Sequence, residues 1–567
     1  MPLAIVVLAA LAVFAVGYLV YSRVVAKVYA LDDTRTTPAV SRADGVDYVP
    51  TRAPMLLAQH FAAISAAGPV VGPILACAWF GWVPALLWVV LGAVVIGAVH
   101  DFSTLVASVR HRACSLPEVV REHIGRPAYW VFVGFIWLSL MYVLVAFIDI
   151  TARQFVVPSF PGAPGVAAGP AVATSSMLYL GLAVVMGLLL EKAKLRASLV
   201  TTLCVPLLLV AVWAGQWAPL SLPASWGGAR AWAALILGYC FVASVLPMWV
   251  LLQPRGTLGG FFLYVILIAG LLGILVGGEQ VNYPAFVGFT SPKGLSLFPF
   301  LFVTIACGAC SGFHGLVASG TTSKQVAEEG HCRPVGYGGM LLEGVIAVVS
   351  LATVMVMTQG SSPGDPSLAF AAGLARFVSA LGIDPGFALG FGMLAFATFV
   401  FDTVDVATRM GRYLLEELLG WQGGGRRWLS TALTLAIPAL YLVLMPESRS
   451  ADGKVIPAYM VIWTVFGAAN QLLAGLSLCA VAVWLMQEGR SARFVLLPMV
   501  IMLGVTLWAL GAMAMSFVRP LLAGRLELGI QGINGLVAVG LIGLAVAFLR
   551  MAWAARSEER RIVQKQA

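Results

Sequence analysis

Ala58-Gln59-His60-Phe61-Ala62-Ala63-Ile64-Ser65-Ala66-Ala67-Gly68-Pro69-Val70-Val71-Gly72-Pro73-Ile74-Leu75-Ala76 reads as a membrane-spanning helix interrupted at its middle. Pro69 cannot donate to the carbonyl of Ser65, nor Pro73 to that of Pro69. Gly68 and Gly72 add backbone freedom and remove side chains that would keep a ligand away. In hydrocarbon a freed carbonyl costs several kcal/mol, so a break survives only where protein buries it or a cavity solvates it. Two half-helices meeting there offer N–H groups to an anion and bare carbonyls to a cation. A plain proline kink is the alternative. Two Gly-Pro pairs within six residues favour a binding site.

Outward from that stretch, the 567 residues are 60% hydrophobic and only 10% charged. A soluble chain carries about 25% charged residues, so this is an all-α polytopic membrane protein. The net charge of +9 does not point to nucleic acid, because the basic residues sit at membrane borders. The apolar run Leu3 to Val20 is followed by Arg23 and Lys27 and has no basic leader, so it reads as an uncleaved first span. Most of the eight cysteines fall inside predicted spans. Cys307 and Cys310 share a CxxC spacing in an apolar helix, where they read as small packing residues.

Apolar runs of about 20 residues place fifteen spans, near 2–22, 56–79, 83–107, 128–150, 171–190, 198–215, 231–252, 259–277, 297–321, 335–357, 386–407, 428–445, 458–486, 494–517 and 528–551. Of the 34 Lys and Arg, 26 fall in loops on one side and 8 on the other. The positive-inside rule makes the richer side cytoplasmic, with the N-terminus outside and the C-terminus inside. This map leaves no Lys or Arg deep in a span. The loop 23–55 reads as ordered but irregular, the loop 159–170 as flexible, and the end from Arg556 as a solvated helix end.

Five spans after the first break, Val242-Ala243-Ser244-Val245-Leu246-Pro247 runs in the opposite direction, and Pro247 frees the carbonyl of Ala243. Paired breaks of opposite direction are the mark of an inverted-repeat transporter. The expected organisation is an N-terminal span and cytoplasmic loop over 1–55, then a first five-helix repeat over 56–215. An inverted second repeat over 231–407, further spans over 428–551 and a cytoplasmic tail over 552–567 follow. The match between halves is topological only.

Ionisable groups in a span cost roughly 2.5–3.5 kcal/mol each on insertion scales, so each needs a reason. His60, His100, Asp101, His314, Glu343, Asp402 and Asp405 all fall in the cytoplasmic half of their helices. With Ser311 they are the candidates for ion coupling. Ser65, Gly68, Pro69, Gly72, Ser244 and Pro247 are the candidates for substrate binding. Each has a plainer reading beside the functional one. Asp405 and Arg409 are spaced to form a structural ion pair, the stripe Ser311, His314, Gly315, Ala318, Ser319 and Thr322 suits close helix packing, and His60 and His314 suit proton shuttling or a structural role. Asp402 has no partner on its own helix. Asp149, near an outer helix end, reads as interfacial. No zinc- or iron-like spacing, Gly-rich phosphate loop or Ser/His/Asp arrangement is present, so no cofactor or metal is expected.

Ala30-Leu31-Asp32-Asp33-Thr34-Arg35-Thr36-Thr37-Pro38, Asp44-Gly45-Val46-Asp47-Tyr48, the His60 to Pro73 stretch and Val99-His100-Asp101-Phe102 resemble the carbon starvation protein A (CstA) family. So do Ser311-Gly312-Phe313-His314-Gly315, Ser319 to Gln325, Asp402 to Arg409 and Phe466-Gly467-Ala468-Ala469-Asn470-Gln471. The resemblance runs through about residue 490 and suggests a short-form member. It implies a bacterial inner-membrane, multi-pass transporter of pyruvate or short peptides, with the five-plus-five (LeuT/APC-like) repeat of the amino acid–polyamine–organocation superfamily. The partners expected are a small carboxylate or peptide substrate, a co-transported proton (sodium being the alternative ion) and membrane lipid, with no nucleic acid. With no nucleotide motif, the leading expectation is a proton-driven secondary transporter, active in carbon limitation. A membrane nutrient sensor partnered with a signalling protein is the alternative, and a membrane-embedded enzyme using His100 and Asp101 a third. The substrate carboxylate is expected on backbone N–H groups beside Gly68 and Gly72.

Overall fold

Prolines and short acidic caps set several helix starts. Asp365 accepts from the N–H groups of Ser367 and Leu368 ahead of Pro366–Ser379, and Asp384 accepts from Phe387 ahead of Pro385–Leu418. Each helix carries proline in its first turn, where the missing N–H costs nothing. The computed structural model describes residues 1–44, 48–157, 168–247, 249–361, 364–421, 425–444, 455–524 and 530–566. Most of the loop expected to be flexible at 159–170 lies outside these, as do Gly45, Val46 and Asp47 of the second motif.

Eleven of the described helices are long and apolar enough to cross a membrane, and one bent pair makes a twelfth. The expected fifteen are not confirmed as spans. The regions 231–252, 297–321 and 428–445 hold only shorter helices, Ala229–Val245, Leu297–Thr304 with Gly312–Val317, and Arg426–Ala439. Among the described residues the rest of the regular structure is also helical, apart from isolated β-bridges.

The bent pair is Ala53–Ile64 and Gly68–Phe80, turned by 50° at Ser65-Ala66-Ala67. Only the first Gly-Pro acts as a break. Pro69 sits in the opening turn of Gly68–Phe80, whereas Pro73 lies inside that helix without interrupting it. Proline's fixed φ suits a helix start, so Pro69 restarts the helix as much as it ends the preceding one.

A second break falls where no proline marks it. The helix Leu297–Thr304 stops and Gly312–Val317 begins after seven intervening residues, with Gly308 among them at a φ of +79°. That left-handed conformation suits glycine. The span predicted at 297–321 is therefore interrupted through Ala306-Cys307-Gly308-Ala309-Cys310-Ser311. Cys307 and Cys310 lie in this non-helical segment rather than in a continuous helix, and all eight cysteines are free.

The two breaks face each other. A methyl group on Gly68 would lie 2.5 Å from Cys307 Sγ, and one on Gly72 would lie 2.6 Å from the carbonyl oxygen of Thr304. Around them, Arg126–Gln154 packs against Pro385–Leu418 and Ala458–Gln487, and Gly68–Phe80 packs against Gly339–Met355.

The described residues of the loop 23–55 are tied down by hydrogen bonds. Asp32 N–H and Asp33 Oδ1 bond to Glu329 and to Gly330 N–H, and Thr37 donates to the Ala327 carbonyl. Arg110 joins Glu329 to the carbonyls of Tyr29 and Ala30. Thr34, through its hydroxyl and its N–H, holds the Asp32 carboxyl below the usual aspartate range.

Candidate functional site

Three elements bring a buried charged cluster to the second break. A π-helical turn at Ala93–Gly97 leads into Ala98–Arg110, which carries His100 and Asp101. Gly312–Val317 carries His314, and Gly339–Met355 carries Glu343. All four side chains are fully buried. His314 lies between the acids, with Nδ1 2.8 Å from Asp101 Oδ2 and Nε2 3.0 Å from Glu343 Oε2. The second contact is close enough for an ion pair, though not aligned as a hydrogen bond. His100 Nδ1 is 2.7 Å from the other Asp101 oxygen. Glu343 Oε1 accepts from the N–H of Gly308 at 3.1 Å, which ties the cluster to the break itself.

Three carbonyls leading into the break are covered by side chains, as a low-dielectric interior demands. Trp463 donates to the Thr304 carbonyl, Trp88 to that of Ile305 and Gln471 to that of Phe302. Asn470 Oδ1 accepts from Phe313 N–H, and its Nδ2 donates to Ser311 Oγ at 2.9 Å. His60 stands nearby, with Nδ1 2.9 Å from Thr322 Oγ1 and its ring against Gly339. Ser65 Oγ, in the first break, is buried with no hydrogen-bond partner.

A second charged cluster is separate. Arg255, inside the helix Leu252–Val276 and only 1% exposed, sets Nε 2.8 Å from Asp402 Oδ1 and Nη1 against Asp405 Oδ2. Tyr239 Oη donates to Asp405 and accepts from Arg255, both at 2.7 Å. The guanidinium also lies over the ring of Phe401. This corrects two expectations. An arginine does lie in a helix long and apolar enough to span, because that helix starts at Leu252, ahead of the expected 259–277, and so includes Arg255. Asp405 pairs with Arg255 and not with Arg409.

Arg409 instead donates to the carbonyls of Ala243 and Leu246, each at 2.8 Å. The carbonyl that Pro247 was expected to leave bare is therefore occupied. Ser244 Oγ is 2.9 Å from Thr431 Oγ1. Ser244 and Pro247 thus belong to this capped helix end and are not joined to Gly68 and Gly72. Asp149 is also buried, taking Arg153 Nε and the N–H of Tyr459, so it caps the helix Ala458–Gln487 and is not exposed at an interface.

A cavity of about 510 Å³ opens elsewhere, lined by Leu138, Tyr142, Asp149, Arg153, Arg230 and Tyr441 among others. None of the residues singled out for substrate binding or ion coupling lines it.

The model of the carbon starvation protein CstA family matches residues 3–363 and 361–509. The chain belongs to that family. It is 33% identical to the peptide transporter CstA of Escherichia coli K12 over 89% of this chain and 80% of the relative. It is 33% identical to the peptide transporter CstA of Helicobacter pylori 26695, over 89% and 81%. The pyruvate/proton symporter BtsT of Escherichia coli K12 is 31% identical over the same shares. A manganese transporter from Eremococcus coleocola aligns over 92% of this chain and 99% of its own at 13% identity and a TM-score of 0.46, too distant to carry a conclusion. The CstA-family chain is a multi-pass membrane transporter.

Within this CstA-family chain, the structure brings His100, Asp101, His314 and Glu343 together, while Ser311 lies in the adjoining break and bonds Asn470 instead. It sets Asp402 and Asp405 apart with Arg255. Asn470, Trp88, Trp463 and Arg255 were not singled out for the site. An Asn-Gln pair in a 30-residue apolar helix was the available signal for the first, since an amide in hydrocarbon needs partners. Arg255 follows Gln253-Pro254, which resembles a loop.

Proposed function

We propose that this protein is a secondary active transporter that uses the Asp101–His314–Glu343 cluster as its proton-coupling site and carries pyruvate or a short peptide. The observation that carries the reading is one imidazole held between two fully buried carboxylates, one of which also bonds the backbone of a broken helix. With His314 charged and both acids ionised, the cluster carries one net negative charge. One added proton makes it neutral. Where burial makes net charge expensive, that proton is a strong determinant of how the broken helix packs. The contact from Glu343 to Gly308 N–H supplies the mechanical link.

The same reading includes a five-plus-five inverted repeat with boundaries revised from 56–215 and 231–407. The paired breaks are 65–67 and 305–311, running in opposite directions on the charge map. Repeat one would comprise spans 53–80, 82–110, 126–154, 229–245 and 252–276, with the hairpin 168–217 inserted. Repeat two would comprise 297–322, 329–355, 385–418, 426–444 and 458–487. Contact between the breaks and the packing of 126–154 on 385–418 support it. The orientation with the N-terminus outside, in a bacterial inner membrane, rests on the Lys and Arg distribution.

A charge crossing 100 mV gains about 2.3 kcal/mol and each pH unit adds about 1.4. For a net-neutral dipeptide, one proton therefore sustains a gradient of two to three orders of magnitude; for monoanionic pyruvate the charges cancel, the voltage drops out, and one proton sustains about tenfold per pH unit. The test is uptake of labelled pyruvate and a labelled dipeptide into proteoliposomes under imposed pH and voltage gradients. Accumulation that collapses with a protonophore supports the reading. Accumulation that follows sodium alone sinks it. A second reading places coupling at Arg255–Asp402–Asp405, which holds the same net charge; Asp402→Asn in the same assay separates the two.

A further inference from the structure

Away from both clusters, three helix ends converge on the basic face. His111 follows Ala98–Arg110, His123 ends Leu116–His123, and Gln487 ends Ala458–Gln487. His111 Nδ1 is 2.6 Å from the carbonyl oxygen of Ala107. A carbonyl can only accept, so the proton is on Nδ1. His123 Nδ1 meets Gln487 Oε1, and that amide's orientation is fixed because Gln487 Nε2 donates to the His123 carbonyl. The His123 proton is therefore on Nδ1 as well.

With one proton per ring, each Nε2 presents a bare lone pair, and the two Nε2 atoms lie 2.7 Å apart. Two imidazole lone pairs at that distance repel. Only an electrophile between them relieves the contact. The Glu122 carboxylate completes the group, with one ligand atom from each residue within 4.8 Å of the others. Trp484 packs edge-on against His111 at 5.2 Å and steadies its ring.

We propose that His111 Nε2, His123 Nε2 and the Glu122 carboxylate bind a divalent transition-metal ion of zinc-like preference, with water at the remaining position. Imidazoles that give their far N–H to a carbonyl oxygen are the arrangement found behind metal-bound histidines, where it fixes tautomer and orientation. With metal–nitrogen bonds of about 2.0–2.1 Å and tetrahedral angles, the ligand nitrogens stand roughly 3.3 Å apart, so the rings must part by about 0.6 Å. The bound ion fastens the ends of Ala98–Arg110 and Leu116–His123 together and, through Gln487, to the helix Ala458–Gln487. The separation of His111 from His123 matches no metal-binding spacing, which is why the sequence carried no signal. The alternative electrophile is a proton shared between the rings.

The test uses full-length protein, purified without a histidine tag, stripped with a chelator and dialysed against Zn²⁺ or Co²⁺. One ion per chain is expected, with a visible Co²⁺ spectrum of nitrogen and oxygen ligation and a thermal midpoint raised by Zn²⁺. His111→Gln and His123→Gln should each weaken binding at least about tenfold and abolish the Zn²⁺-dependent rise. These positions lie on separate segments, so failure of one variant to fold leaves the other informative. Wild-type protein that binds no stoichiometric ion overturns the site and assigns the contact to a shared proton. Stoichiometric binding that neither variant weakens also overturns it.

Discussion

Replacing Gly72 by alanine perturbs the contact between the two broken helices. The new methyl would lie 2.6 Å from Thr304 O and 3.1 Å from Ile305 Cα. Ordinary contact begins near 3.4 Å, so the Thr304 backbone must retreat by about 0.8 Å. That segment is held by Trp463 on Thr304 O and Trp88 on Ile305 O, so retreat strains two further bonds. Overpacking against a fixed neighbour costs at most about 3 kcal/mol in the usual range. Alanine's better helix propensity returns about 1 kcal/mol, leaving a net loss of about 2 kcal/mol. Gly134 is the control, because a methyl there meets nothing within 4 Å and should gain up to about 1 kcal/mol. Equilibrium unfolding of purified variants in mixed micelles gives both numbers. A Gly72→Ala protein as stable as Gly134→Ala would refute the close packing of the two breaks. It would restore the reading in which Gly72 lies open to a ligand.

Arg255→Leu strands two buried carboxylates and should destabilise by about 3–5 kcal/mol; adding Asp402→Leu and Asp405→Leu should recover most of the loss, and unfolding curves of the two variants show whether it does. For orientation, a membrane-impermeant thiol reagent should label half-buried Cys114 only after intact cells are opened. Labelling from outside would invert the topology. Cys332, on the same side of the charge map, is fully buried and should stay silent in both conditions.

The membrane class, the first break and the residues of the His314 cluster were legible in the sequence, because apolar length, proline and charge in hydrocarbon are strong local signals. The second break was not. It contains no proline, and Ala306 to Gly312 looks like the small-residue face of a packed helix until Gly308 is seen at positive φ. Pro247 misled in the other direction. A lost helix bond is visible in the sequence, but the arginine that replaces it, Arg409, comes from 163 and 166 residues away. Arg255 was hidden by the same limit, since its partners lie on another helix. Gly68 and Gly72 were identified as positions needing no side chain, and the neighbour that requires this is protein backbone and Cys307.

The most direct test of proton coupling compares wild type with Glu343→Gln in proteoliposomes, measuring labelled pyruvate and labelled dipeptide in two modes. Glutamine keeps the size of the side chain and an oxygen for Gly308 N–H, and removes the exchangeable proton. Wild type should accumulate its substrate under an imposed proton gradient and should exchange internal for external substrate without one. Glu343→Gln should keep the exchange and lose the accumulation. Gradient-driven accumulation by Glu343→Gln at the wild-type level would contradict the account.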